Sequence, residues 1–291
     1  MQAKPFRRKS IYAGWLLIPG MVIYSVFFLL PTLLSFFFSM TVWNLTDWRF
    51  CGFDNFRIFF NEPSLFTAIG NTLIYAVLTS GAKTVIALFI AVILSSALPT
   101  RNFLRSLIFF PTIVSTVAVG IVFSSMMHPS RGIINAALEF IGINGPDWLG
   151  NPDLALYSVA IVDVWRGLGM AMVIYLAGIT AIPTEYGEAL LVDGGNSWDK
   201  FRYITFPLLR PSMNSVIILS FIGGLRSFDL IWAMTGGGPG FSSEILASLI
   251  YKQYVSGFYG LSTAGNIIML ALVAILAMPL QWWLNRTEVA L

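Results

Sequence analysis

Six stretches of the chain are almost continuously apolar: residues 11–40, 66–98, 104–127, 154–182, 213–234 and 261–284. Each has the length that a helix needs to cross a bilayer, about 20 apolar residues. Backbone N–H and C=O groups in hydrocarbon must be satisfied within the segment. The pattern therefore predicts six transmembrane helices in an all-α integral membrane protein. The first stretch follows a basic start, KPFRRKS. A secretory signal has an apolar core of only about 7–15 residues and a small-residue cleavage site. This run is longer and carries aromatic residues and prolines where that site would sit, so a retained first span is expected.

The pattern changes between the fourth and fifth stretches. Residues 188–211 read EALLVDGGNSWDKFRYITFPLLRP. Pro183 ends the fourth span, and Thr184 can cap a new helix with Glu185 in its first turn. That helix is expected to run to Val192. Asp193, Gly194 and Gly195 break it, because glycine accepts the left-handed backbone of a tight turn. Asn196 or Ser197 then caps a second short helix through Trp198, Phe201 and Ile204, closed by Pro207 and Pro211. The expectation for 183–212 is two short helices at an angle, with Ala189, Gly194 and Trp198 exposed around the bend. Two readings stay open on the residues alone: an amphipathic connector resting on lipid headgroups, or a dock for another protein.

Three other connections are of moderate length. Residues 41–65 carry Trp43, Trp48 and several phenylalanines, and 128–153 carry Trp148 and a helical pattern at Ile133–Phe140. Residues 236–260 begin in glycines and Pro239, which end the fifth span. None is long enough to fold as a separate domain. The cations fix an expected orientation. Lys4, Arg7, Arg8, Lys9, Arg101, Arg105, Lys200, Arg202, Arg210 and Arg286 fall on one side, against Arg49, Arg57, Arg131 and Lys252 on the other. Positive residues favour the cytoplasm, which predicts both the tail 1–10 and the tail 286–291 inside.

Composition agrees with a membrane domain: 57% of residues are hydrophobic and 11% charged, where a soluble domain has about 25% charged residues. The net charge of +3 is placed by topology and implies no nucleic acid. One cysteine, Cys51, and one histidine, His128, exclude an internal disulfide and a Cys/His metal cluster. His128 sits at the outer edge of the membrane. No G-x-x-x-x-G-K-[ST] motif occurs, so ATP binding through a P-loop is not expected in this chain.

Five charges fall inside the apolar stretches: Lys83, Asp163, Arg166, Arg226 and Asp229. Intramembrane charges are costly and mark pathways or paired groups. Asp163 and Arg166 are three residues apart and share a helix face, and Arg226 and Asp229 repeat the spacing. They either neutralise one another and hold the bundle together, or line a hydrated path. Arg166 and Asp229 suit the path, with Trp165 and Phe228 beside them.

The 183–212 segment resembles the conserved cytoplasmic loop of binding-protein-dependent ABC importer permeases. That pattern has Glu-Ala-Ala, Asp-Gly, an apolar residue, Ile and two prolines at fixed spacings. Glu188, Ala189, Asp193, Gly194, Phe201, Ile204, Pro207 and Pro211 fit it. Leu190 departs where the pattern has its second alanine, and Gly195 where it usually has alanine. CGFDNF at 51–56, GNT at 70–72 and RSFDLIWAMTGGGP at 226–239 are similar to other family segments, the last to sugar-importing members of the maltose, glycerol-phosphate and multiple-sugar type. The resemblance implies an inner-membrane permease subunit that is not an enzyme and holds no cofactor, with ATP and Mg bound by partner subunits. Its implied partners are a second permease, two ATP-binding subunits, an extracellular solute-binding protein and a sugar, an oligosaccharide or polyol. It implies coupling through Glu188, Ala189, Asp193, Gly194, Trp198 and Phe201. It also implies a substrate path between the fourth and fifth spans at Trp165, Arg166, Gly167, Met170, Ser220, Gly224, Ser227, Phe228 and Asp229. Gly223 and Gly224 would open room for a ligand, or serve only as small residues for helix packing. The alternative function is a self-contained, ion-coupled secondary transporter or channel that uses the intramembrane charges.

Overall fold

The computed structural model describes residues 14–96 and 98–286. Lys4, Arg7, Arg8 and Lys9, the start of the first stretch at Ile11, and the tail beyond Arg286 lie outside the described residues. The fold is an all-α membrane bundle. Helix α1 (Trp15–Ser39) leads into a two-stranded hairpin of β1 (Thr41–Trp43) and β2 (Trp48–Phe50). Then follow α2 (Asp54–Phe60), α3 (Leu65–Ser95), α4 (Arg101–Ile113), α5 (Thr116–Met126), α6 (Ile133–Phe140) and α7 (Ala155–Ala181). The chain continues through α8 (Thr184–Val192), α9 (Ser197–Leu208), α10 (Arg210–Leu225), α11 (Asp229–Met234), α12 (Leu246–Val255) and α13 (Tyr259–Asn285). Among the described residues four helices, α1, α3, α7 and α13, are each long and apolar enough to cross a membrane. The pairs α4–α5 and α9–α10 are bent by 98° and 63°, and bring the number to six when each is counted as one span.

The prolines explain much of the departure from straight rods. A helical proline lacks an amide donor and crowds the carbonyl four residues earlier. In α1 a π-helical turn at Ser25–Leu29 lies just ahead of Pro31, and in α9 another at Lys200–Thr205 lies just ahead of Pro207. The wider turn relieves the crowding at Phe27 and Tyr203 and lets the helix continue. Pro207 therefore does not close the second short helix as expected. The chain bends instead at Leu209, which is buried, and Pro211 sits in the first turn of α10. The third apolar stretch is likewise not one rod: α4 ends just past Pro111, and Val114 is extended.

The fifth stretch is interrupted too. Helix α10 stops at Leu225 and α11 starts at Asp229, leaving Arg226, Ser227 and Phe228 in a non-helical link. The expectation that Arg226 and Asp229 share one helix face is therefore wrong. Arg226 lies in the break and Asp229 starts the helix after it.

Helix α3 is the axis of the bundle, packed along α7 and α10, with α4 against α7 and α13 against α10. Its buried face is built from small residues, including Ala68, Ala76, Ala87 and Ala91. A Cβ at Gly224 would lie 2.7 Å from the Ala76 Cα, and one at Gly169 would lie 2.7 Å from the Phe109 Cα. These glycines set the close approach of α10 to α3 and of α7 to α4, as expected where lipid supplies no hydrophobic drive between helices. Tyr75, Val159, Val162, Leu230 and Ile231 fill one end of the core. Leu88, Met172, Leu176, Leu209 and Val216 fill the end that carries α8 and α9. By contrast, no residue in the most apolar part of α1 is fully buried.

The hairpin lies in the connection at 41–65, for which no strand was expected. Asn44 makes the turn, its Oδ1 accepting from the amides of Thr46 at 3.2 Å and Asp47 at 2.7 Å. The flanking Val42, Trp43, Trp48 and Phe50 favour strands. Buried Asn55, on α2, then donates to the carbonyls of Ser39 at 2.9 Å and Thr41 at 2.8 Å, tying the hairpin to α1.

Candidate functional site

Two places concentrate polar chemistry: the elbow between α8 and α9, and a cluster in the middle of the bundle. In the elbow, the end of α8 is closed by amides that turn back on it. Asp193 N donates to Ala189 O at 3.1 Å, Gly194 N to Leu191 O at 3.1 Å, and Gly195 N to Leu190 O at 2.9 Å. Gly194 adopts φ +82°, the left-handed conformation that closes many helices. Asn196 caps α9. Its Oδ1 accepts from Trp198 N at 2.8 Å and Asp199 N at 3.1 Å, while the Asp199 carboxylate accepts from Asn196 N at 2.9 Å. This reciprocal box fixes the direction of the second helix. At the other end Pro183, not Thr184, occupies the cap position of α8. Its ring fixes φ near the required value, and Thr184 becomes the first helical residue.

Glu188, Ala189, Asp193, Gly194 and Trp198 are all exposed around this bend. Phe201 is not part of that face. It is half-buried, packs between the rings of Trp198 and Phe206 at 5.6 and 5.9 Å, and joins the bundle core. Beside the bend stand three large apolar side chains that nothing covers: Leu191 at 68% exposure, Val192 at 88% and Trp198 at 62%. A tightly capped bend that displays uncovered apolar groups has the character of a surface that contacts a membrane or another protein.

The two departures from the family pattern meet in space. A Cβ at residue 195 would lie 2.6 Å from the Leu190 Cγ, so Leu190 fills the room that an alanine at 195 would take. Gly195→Ala alone is therefore expected to lower the thermal midpoint of the purified protein. Gly195→Ala combined with Leu190→Ala is expected to recover most of the loss, and equal midpoints for the two variants would disprove the compensation.

In the bundle, Lys83 on α3 and Asp163 on α7 form an ion pair, Nζ to Oδ2 at 2.7 Å, with side chains 10% and 15% exposed. The Lys83 stem passes across Gly167, where a Cβ would lie 2.5 Å from its Cε. The Tyr75 hydroxyl faces Asp163 and Ser227. Asp163 thus pairs with a residue on another helix rather than with Arg166 on its own. Thr112 on α4 donates its hydroxyl to the Arg166 carbonyl at 2.9 Å, pinning α7 beside the α4–α5 bend.

A cavity of about 240 Å³ opens here, and the residues expected on the substrate path divide around it. Arg166, Gly167, Met170 and Ser220 line it together with Lys83 and Gly223. Gly224 does not; it is the packing contact with α3 described above. Trp165 turns toward α5 and meets the Phe123 ring at 5.1 Å. Phe228 lines a second cavity of about 640 Å³ between α1, α12 and α13, with Arg226, Tyr251 and Tyr254. Phe228 also stacks with Trp232 at 5.8 Å and meets Tyr251 at 4.9 Å. Ser227 lies near Tyr75, and Asp229 is exposed at the start of α11. Of the residues expected on one path, Arg166, Gly167, Met170 and Ser220 thus line the smaller cavity, Phe228 the larger, and Trp165, Gly224, Ser227 and Asp229 neither.

Sequence reasoning passed over one more polar site. The glycine-rich connection after α11 folds into a clasp around the fully buried Glu244, which pairs with Lys252. Asn71 Nδ2 donates to the carbonyls of Ser242 at 3.0 Å and Glu244 at 2.9 Å, and Thr72 Oγ1 accepts from Leu246 N at 2.9 Å. Gly236, Gly237 and Gly240 take positive φ in this loop. The GNT and TGGGPG strings were the available signal: Asn71 and Thr72 hold the chain at Ser242, Glu244 and Leu246, just past the glycines.

Residues 83–288 match the family described as binding-protein-dependent transport system inner membrane component. The trehalose/maltose transport system permease protein MalF of Thermococcus litoralis is 32% identical over 263 residues, covering 89% of each chain. The lactose transport system permease protein LacF of Rhizobium radiobacter is 33% identical over 282 residues, covering 94% of each. The fold is shared with a chain of a bacterial ABC transporter involved in the import of the acidic polysaccharide alginate, at a TM-score of 0.81, 22% identity and 94% coverage of each chain. This chain belongs to the family of binding-protein-dependent transport system inner membrane components.

Proposed function

We propose that the chain is the permease subunit of an ABC importer for a carbohydrate, an oligosaccharide or polyol. It pairs with a second permease, receives its cargo from an external solute-binding protein, and is driven by two ATP-binding subunits that hold ATP and Mg. It carries no ATPase site of its own. Both termini and the α8–α9 elbow face the cytoplasm, in keeping with the excess of Lys and Arg on that side. The carbohydrate cargo follows the relatives named for maltose, trehalose and lactose.

The observation that carries this reading is the elbow. Its bend is held by the Gly194 turn and the Asn196–Asp199 box, yet its apolar tip is uncovered. A connector resting on lipid needs an apolar stripe but no rigid corner. Glu188, Ala189, Asp193, Gly194 and Trp198 form the face that enters a cleft on the ATP-binding subunit, and Phe201 anchors that face to the bundle. Closure of the ATP-binding pair then moves α8–α9 as a unit and, through Leu209, α10. The expected result is that the permease, tagged in its native host and purified in mild detergent, retains a P-loop ATPase, while Leu191→Asp with Val192→Asp releases it. Uptake that follows a proton or sodium gradient with no ATPase present would refute the reading.

A further inference from the structure

Each of the two cavities presents an arginine and no carboxylate among the described residues. In the smaller one, Arg166 shares the lining with Ser220 and Gly223. Asp163, the acid nearest to it in sequence, holds Lys83 at 2.7 Å. The Arg166 Nε is buried and has no hydrogen-bond partner among the described residues. In the larger cavity, Arg226 stands with Phe228, Tyr251, Tyr254 and the amide of Asn266. Asp229, at the start of α11, is not part of that lining. Neither Arg166 nor Arg226 forms an ion pair among the described residues.

A cation kept inside a membrane domain without a counter-charge is a strong candidate for a ligand contact. A guanidinium is matched to a carboxylate or sulfonate, which it can grip with two parallel hydrogen bonds. Aromatic faces beside it take up the apolar C–H face of a pyranose ring. The larger cavity has the volume of ordinary small-molecule sites, about 300–1,000 Å³. Helix α10 contributes to both walls, with Ser220 and Gly223 on the smaller cavity and Ile222 on the larger. We propose that the carried saccharide is acidic, and that Arg226 and Arg166 are successive stations for its negative charge. The Lys83–Asp163 pair is neutral as a unit, so it leaves the field of the two arginines uncancelled. This inference rests on the carbohydrate-permease reading and narrows it to one class of sugar.

The test uses the full-length protein in phosphatidylcholine nanodiscs, titrated at low ionic strength with trigalacturonate and with its fully methyl-esterified form. The ester keeps the rings and removes the charge. The acid is expected to bind at least about tenfold more tightly than the ester, the discrimination typical of a charge-assisted pair. Arg166→Gln is expected to bring the two affinities within about twofold, and Arg166→Lys to keep part of the preference because the charge remains. Arg226→Gln is expected to weaken the acid and leave the ester unchanged. Equal binding of acid and ester by the unaltered protein overturns the acidic assignment while leaving the carbohydrate reading in place. Binding of neither overturns the carbohydrate reading, and this inference with it. An undiminished preference in folded Arg166→Gln and Arg226→Gln removes the arginines as stations. If both variants misfold, the ratio in the unaltered protein decides.

Discussion

Gly194→Trp is expected to leave the permease folded and associated with its ATP-binding partner, and to cut ATP-driven uptake in reconstituted vesicles by more than about tenfold, the scale set by losing even 1.4 kcal/mol of coupling. Two effects act together. Gly194 sits at φ +82°, where any Cβ is strained by about 1–2 kcal/mol. Nothing lies within 4 Å of the position a Cβ would take, so the bundle itself tolerates the new side chain. The indole projects from the tip and meets whatever docks there. Gly194→Asn separates the two effects, because asparagine enters the left-handed region readily and adds little bulk. It is expected to keep most of the uptake. If Gly194→Asn fails as badly as Gly194→Trp, backbone strain rather than docking is responsible. Full transport by Gly194→Trp would remove the elbow from the coupling route altogether.

The elbow was legible because its signals are local. The glycine turn at 194 and the cap at Asn196 each act within four residues, and they fix the bend whatever surrounds them; the closing role read into Pro207 did not hold, because a wider helical turn just ahead of it carries the helix on to Leu208. The apolar stretches were legible for the same reason, since the hydropathy of a span is a property of one segment. The breaks were not. The two charges in 213–234, Arg226 and Asp229, mark the place of the break but were read as a helical pair, because spacing alone does not show that the helix is interrupted there. Charge pairing failed in a similar way. Spacing of three on one helix suggested Asp163 with Arg166, but the partner is Lys83, eighty residues away in the chain on α3. Glycine was ambiguous for a further reason. Gly223 and Gly224 are neighbours with the same lack of side chain, and only the packing of α3 makes one an open wall and the other a helix contact.

The Lys83–Asp163 pair sets up the second large effect. Lys83→Met leaves a carboxylate in a site where its side chain was 15% exposed, and Asp163→Leu leaves an ammonium in the same position. Breaking a buried pair by removing one partner costs about 3–5 kcal/mol, because the survivor keeps its desolvation penalty and loses its attraction. Each single variant is therefore expected to lower the thermal midpoint sharply in detergent. The double variant, Lys83→Met with Asp163→Leu, is expected to recover most of the loss, since two apolar residues of similar size remove both penalties. A cycle of the four proteins isolates the pairing energy, and a double variant no better than the sum of the singles would show that the two side chains do not act as a unit. Uptake by the stable double variant then separates two roles for the pair. If transport recovers with stability, the ion pair only fastens α3 to α7. If the protein is stable and transport stays lost, the charges themselves serve the path, with the Tyr75 hydroxyl and the Lys83 stem across Gly167 as the groups through which they shape it.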